Sequence, residues 1–369
     1  MMSLNVRTSN AGDKGNGNWD VRKAHMKSML ENHQPDFVGT QEASSSQYEY
    51  LKQIDGYSAI GDCSANERTF ILFNQNNWEL IENGDFALSD SPELGSNTWG
   101  LEYNREATWG RFRHKASGNT ACVFNTHYDM SKGHPKSSVL VASKMAALCK
   151  EGDLALLTGD FNTELNSGAL QYLMGKTQLE GKTNSFPMVS ALDEAGETGG
   201  TFIGNGIFNT GISKTRFDFV FAKAENLCIQ KGEVIDERFN GNNGISDHAQ
   251  VMSTLCIGDG CSGCAGGSSY GYDQAKNDED DEEDDSKTEE TPAPETAAPT
   301  PEVTPEPTTE EPEPATTTPE PIPTEPIQLT PVVTPAATEP RSVNDETVAS
   351  ANSPTPSPTK PKRSDCAAK

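Results

Sequence analysis

One break in composition decides how much of this chain can fold. Of 23 prolines, 19 follow Tyr272, whereas Gly271 is the last of 32 glycines and Tyr272 the last aromatic residue. From Asp273 the sequence runs "DQAKNDEDDEEDDSK" and then Pro/Thr/Glu-rich text such as "TPEVTPEPTTEEPEPATTTPEPIPTEP". So little apolar surface cannot offset the entropy of ordering, and the expectation for 273–369 is a disordered, extended, acidic tail. Residues 1–258 read as one large α/β domain, long enough to bury a substantial core, and 259–272 as a Gly/Ser/Cys linker.

Charge divides at the same place. The formal net charge of -26 splits into -16 for residues 271–369, which hold 23 acids and 7 bases, and -10 for the remainder. A folded part this acidic does not hold a polyanion by bulk electrostatics, so work on phosphoesters requires a divalent cation and a few local Arg or Lys residues. No span approaches the roughly 18 to 20 apolar residues of a membrane helix. The chain opens "MMSLNVRTSN" straight into a strand, without a signal peptide, yet the tail resembles the O-glycosylated stalks of secreted proteins. Both a secreted or surface location and a cytoplasmic one stay open. Among 8 cysteines, Cys261 and Cys264 form a lone "CSGC"; without a second pair it is poor evidence for zinc, and disulfides or free thiols are the better readings.

Within the folded part, apolar or β-branched runs repeatedly close on polar residues. "LALLTGDFNTE" is a buried-strand pattern that breaks at Gly159 into Asp160, Phe161 and Asn162. Asp and Asn are poor strand formers; their presence marks either a turn or a rim given over to chemistry. "MSLNVR" carries Asn5, "PDFVGTQEA" ends on Gln41 and Glu42, and "ERTFILFN" follows Glu67. "TACVFNTHYDM" ends on Asn125, His127 and Asp129, "TRFDFVFA" holds Asp218, and "NGISDHAQVMSTL" enters its strand through Asp247 and His248. Helical stretches at Val21–Asn32 and Ser138–Lys150 alternate with these strands, which predicts mixed sheets with helices outside.

In their order, "LNVR", "TQE", "NERTFILF", "NREATWGRF", "NTHYD", "LTGDFN", "RFDFVF" and "ISDHAQV" resemble the endonuclease/exonuclease/phosphatase (DNase I-like) family over about residues 2–257. The pattern is nearest to the deadenylase-like (carbon-catabolite-repressor type) and small bacterial hydrolase members. The resemblance implies a four-layer α/β/β/α sandwich with its site at one rim. It places Glu42 as a metal ligand, pairs His248 with Asp218 and His127 with Glu67, and sets Arg105 near the substrate phosphate. After "THYD", where such members tend to carry an Arg, this chain offers Lys132 and Lys136.

Phosphodiester hydrolysis needs an activated water, charge stabilisation on the phosphoryl oxygens and help for the leaving oxygen. Glu42 is the foremost candidate for holding Mg²⁺, with Mn²⁺ an alternative, and Asn5 and Asp247 complete the shell. Two residues apart on an extended chain, Asp160 and Asn162 point the same way, so Asp160 can orient or deprotonate water while Asn162 donates to phosphate or the metal shell. An imidazole bonded to a carboxylate is held more cationic, which suits His127 and His248 to face a phosphate. Trp99, Tyr103, Trp109, Arg111 and Arg113 could form a stacking platform for single strands, or be core aromatics and an exposed strand face. The expected activity is a monomeric Mg²⁺-dependent phosphodiesterase, with a 3′-5′ RNA exonuclease, a small-molecule or lipid-headgroup esterase, and a catalytically silent binding protein as the readings to separate.

Overall fold

The computed structural model describes residues 1–61, 68–204, 208, 210–258 and 260–265. The expected tail, Glu67, Cys63 and Cys366 lie outside the described residues. Fourteen strands form: β1 Met2–Asn5, β2 Phe37–Ala43, β3 Tyr57–Ile60, β4 Arg68–Asn74, β5 Trp78–Ala87, β6 Glu106–His114, β7 Thr120–His127, β8 Leu154–Asp160, β9 Val189–Ser190, β10 Asp218–Lys223, β11 Leu227–Ile235, β12 Arg238–Phe239, β13 Asn243–Gly244 and β14 Gln250–Ile257. The helices are α1 Trp19–His33, α2 Ser45–Leu51, α3 His134–Leu148, α4 Gly168–Leu173 and α5 Ala191–Glu194. None of the described helices is long and apolar enough to cross a membrane.

Two six-stranded sheets carry the fold, in the orders β11-β14-β1-β2-β4-β3 and β5-β6-β7-β8-β10-β9. Their inner faces meet through Phe37, Ile71 and Phe73 on one side and Phe112, Val123, Leu156 and Val220 on the other. On the outer face of the first sheet Met26, Met29 and Leu30 of α1 and Leu51 of α2 cover Leu4, Val38, Phe70 and Leu72. Outside the second, Val141 and Met145 of α3 and Leu170 and Leu173 of α4 cover Phe124, Leu157, Phe219 and Phe221. Three apolar clusters separated by two sheets make the four-layer α/β/β/α sandwich that the motif order implied.

Local chemistry explains where the helices run past their sequence-read bounds. The Asn18 side chain accepts from Asp20 N, so α1 begins two residues before Val21. Pro135 in the first turn starts α3 four residues before Ser138. That helix stops at an extended Cys149, bonded to Cys122 of β7. Cys228 pairs with Cys264 and Cys256 with Cys261. The "CSGC" cysteines are thus spent on two different disulfides, which removes both the zinc and the free-thiol readings for them.

Near one rim the sheets come unusually close, and the reason is a glycine. A Cβ on Gly39 of β2 would lie 2.0 Å from Thr158 Oγ1 and 2.5 Å from Asn125 Oδ1 of the facing sheet. Through this gap Gln41 Nε2 donates to Asn125 Oδ1 (2.7 Å) and Asn125 Nδ2 donates to Thr40 O (2.7 Å). All three residues are fully buried. Such bonds are strong in a low-dielectric interior and fix the two sheets relative to each other just below the rim.

Candidate active site

At that rim β1, β2, β7, β8 and β10 end, and the loop before β14 joins them. Asn5 is the last residue of β1; its Nδ2 donates to Glu42 Oε1 and to Asp160 Oδ2, both at 3.0 Å. Glu42 reaches this point because β2 bulges between Thr40 and Ala43 and Glu42 turns left-handed, with φ 65°. Bulges of this kind re-aim side chains, and strained backbone concentrates where function over-determines it. Its second oxygen accepts from Thr8 N at 3.2 Å.

Asp160 and Asn162 do converge, by a different route from strand alternation. Asn162 is left-handed at φ 49°, and its backbone N donates to Asp160 Oδ1 at 3.0 Å. The segment is therefore an Asx turn placed at the rim. Phe161 between them is fully buried, and the Asn162 carboxamide lies 3.1 Å from His127 Nε2.

The two imidazoles are in opposite electrostatic states. His248 Nδ1 sits 2.8 Å from Asp218 Oδ2, and its Nε2 lies 3.7 Å from Asp160 Oδ2. Burial opposes its charge, but Asp218, Asp160 and Asp247 outweigh burial and hold its pKa well above the ordinary histidine value. His127 departs from expectation. Its Nδ1 lies 2.8 Å from Arg105 NH1 and its Nε2 3.1 Å from Asn162 Nδ2, so both ring nitrogens face donors, with Asp160 Oδ2 3.6 Å from Nε2. Burial, Arg105 and His248 hold it well below the ordinary value, so the ring is neutral, not cationic. Asp160 itself is raised to about 7 by burial, opposed by His248 and reinforced by Asp218.

The sequence motifs did not single out Arg7, although it stands two residues beyond Asn5. It bonds Asp13 (Nε, 3.1 Å) and Asp247 (NH1, 3.3 Å), and its backbone N holds Asn5 Oδ1 at 2.9 Å. Beneath it the guanidinium of fully buried Arg22 donates to the carbonyls of Gly17, Val6, Ile245 and Arg7. Arg22 thus staples the chain after Asn5 to the chain before Asp247. Burial lowers Arg22 to about 10, which leaves it charged at neutral pH.

Other expected residues fall elsewhere. Asn125 belongs to the inter-sheet network, and the Asp129 carboxylate accepts backbone N–H groups of Glu102, Tyr103, Ser131 and Lys132. Lys132 reaches Gly100 O and Lys136 lies over Trp99, so neither takes the place of a phosphate-facing Arg. The stacking platform dissolves: Trp109 is core, Arg111 is bound to buried Asp153, and Arg113 pairs with Glu79 near the far end of β6. Only Tyr103 lies at the site, 5.0 Å above the Arg105 guanidinium. Across the cluster the ring of Phe202 packs edge-on to His248 at 5.3 Å. The position paired with His127 by resemblance, Glu67, lies outside the described residues. His25, His33, His114 and His134 sit on α1, at the end of β6 and at the start of α3, outside the cluster.

Ligand atoms of Glu42, His127 and Asp160, and of Asp160, Asp218 and His248, lie within 4.8 Å of one another. Two carboxylates held this near a third demand positive charge, and Glu42 and Asp160 offer hard oxygen donors of the kind magnesium takes, while Asn5 turns its Nδ2 to both. The residues present fit a divalent cation.

Fold and site together define a two-sheet α/β sandwich with a carboxylate, carboxamide and imidazole centre at one rim. Residues 2–248 match the Endonuclease/Exonuclease/phosphatase family, and the chain belongs to it. Similar solved structures include the endonuclease/exonuclease/phosphatase from Bacteroides vulgatus (25% identity, 70% of this chain and 98% of that one, TM-score 0.62). The mannosyl-6-phosphatase of Bacteroides thetaiotaomicron superposes with TM-score 0.61 at 24% identity, covering 69% of this chain and 98% of that one. An uncharacterized protein of Acanthamoeba polyphaga mimivirus is 25% identical over 165 residues, which is 40% of this chain and spans only 60% of the viral protein.

Proposed function

We propose that this protein is a Mg²⁺-dependent phosphoester hydrolase that cleaves phosphodiester bonds. The observation that carries the reading is Asp160, raised to about 7 and standing between a neutral His127 and a cationic His248. A carboxylate with that pKa is matched to accept a proton from water near neutrality. Glu42, with Asn5 and Asp247, would hold the ion, whose chemistry is to neutralise charge developing on the phosphoryl oxygens. Asp160 takes a proton from the attacking water as its oxygen bonds to phosphorus, and the ester P–O bond breaks as the leaving oxygen takes a proton from solvent. His248, held protonated by Asp218, faces the charge gained by the phosphoryl group. The Asn162 carboxamide and Arg105 orient the phosphate.

Substrate scale is a second question. The folded part's charge of -10 opposes long polyanions, which favours a short nucleic-acid end, as for a 3′-5′ exonuclease of RNA, or a small phosphoester. The mannosyl-6-phosphatase of similar fold makes a sugar phosphate the runner-up class. The three disulfides among the described residues fit a chain that folds in an oxidising compartment. The deciding experiment assays the purified chain on single-stranded RNA, single- and double-stranded DNA, sphingomyelin, mannose 6-phosphate and bis-p-nitrophenyl phosphate, with Mg²⁺ and with EDTA. Turnover that depends on the metal and disappears in Asp160→Asn supports the reading. A folded protein that turns over nothing sinks it and favours a binding role.

A further inference from the structure

The loop between β5 and β6 and the chain after β7 share one peg. Asp129, fully buried, accepts from Glu102 N (2.7 Å) and Tyr103 N (3.3 Å) on one segment and from Ser131 N and Lys132 N (both 3.1 Å) on the other. The loop is braced again where Asn97 and Leu101 exchange two bonds and where Trp99 Nε1 donates to Asp90. A loop wired this closely does not expose a side chain by slackness. Yet of the five large hydrophobic side chains exposed among the described residues, Tyr103 (42%) and Met130 (52%) flank this one peg. The other three, Val21, Ile81 and Leu94, lie on α1, on β5 and nearer the start of the loop.

Tyr103 is placed with purpose. Its ring lies 5.0 Å from the Arg105 guanidinium, which is 4% exposed and in turn touches His127. The ring roofs the phosphate-facing arginine and turns a face to solvent at the mouth of the site. Resting on the phosphoesterase reading, we propose that Tyr103 is a specificity-determining residue. Its exposed face stacks on a planar ring carried by the substrate's ester group on the Arg105 side, so that phosphoesters with a nucleobase-like substituent are selected over esters of polyols. A thioether and a phenyl face supply no network of donors and acceptors, so a polyol pressed against them loses hydrogen bonds to water, whereas a flat ring loses few.

The test compares Kd by calorimetry for two phosphates, adenosine 5′-monophosphate and mannose 6-phosphate. Both are titrated with Mg²⁺ into the full-length chain carrying Asp160→Asn, which removes turnover. The adenosine ligand should bind more tightly, lose about ten-fold on Tyr103→Ala, as expected for one stacked base, and keep its affinity on Tyr103→Phe. Mannose 6-phosphate should change less than about two-fold in both variants, with thermal midpoints unaltered. Equal weakening of both ligands by Tyr103→Ala, or tighter binding of the sugar phosphate at the start, overturns the assignment. These outcomes are separate from the metal-dependence assay, which alone decides whether the chain is a phosphoesterase.

Discussion

Replacing Arg22 by Met leaves the shape of the site's foundation but removes four charge-assisted bonds at once. The side chain is fully buried, so the carbonyls of Gly17, Val6 and Ile245 lose their donor where water has poor access, while that of Arg7 keeps Gln47 Nε2. Each orphaned acceptor costs about 1–3 kcal/mol, but rearrangement and entering water make the three non-additive. The charge itself was expensive to bury, which returns part of the loss. A net destabilisation of about 3–5 kcal/mol follows, and for a domain of this size about 2–4 °C per kcal/mol gives a fall in Tm of roughly 6–20 °C. The assay is thermal and urea unfolding of wild type, Arg22→Met and Arg22→Lys. Lysine keeps the charge but cannot fork to four carbonyls, so it should recover less than half of the loss. A midpoint for Arg22→Met within about 2 °C of wild type refutes the staple. In the folded fraction kcat should fall as well, because Asn5 and Asp247 flank the two segments that Arg22 joins.

Activity should rise with pH as Asp160 ionises at about 7 and fall only where His248, held above its ordinary value, loses its proton; a kcat/KM profile that falls between pH 6 and 7 contradicts the assignment. The same raised pKa makes metal-free stability greatest at low pH and lost as pH climbs through about 7, a slope that Asp160→Asn should flatten in urea titrations at pH 5 and 8. Gly39→Ala, whose Cβ would press on Thr158 and Asn125, should cost about 1–3 kcal/mol or more by urea midpoint, and an unchanged midpoint would show that the sheets can part without penalty. Removing Cys122–Cys149, which spans 27 residues, by paired Ala substitution should cost about 3 kcal/mol, read as a lower Tm insensitive to added reductant at that site.

Much of the architecture was legible because it depends on local pattern. Apolar runs that carry Asn5, Glu42, His127, Asp160 and Asp218 are strands in the structure, with those residues at the rim. What the pattern could not carry was direction and state. Glu42 and Asn162 reach the cluster through left-handed backbone, a conformation neither residue type dictates. The neutrality of His127 comes from burial and then from Arg105, distant by 22 residues and across a strand pair, while the charge of His248 comes from carboxylates on three separate segments. Arg22 reads in "VRKAHMK" as one more solvent-facing base of a helix, and only the fold turns it inward. Arg7 could have been found from its place beside Asn5. Disulfide partners could not, since spacing alone does not select among pairings.

The nested pair of disulfides at the end of the domain also sets how mechanical load enters it. Cys228 and Cys256 face each other in register on β11 and β14, and they bond to Cys264 and Cys261 respectively. β14 runs antiparallel to β1, so Ile257 lies at the end of the sheet away from Asn5. A pull on the chain beyond Cys264 therefore reaches β11 through the covalent bond to Cys228. Tension applied at this corner enters the molecule at the end of the sheet remote from Asn5 and the carboxylate cluster.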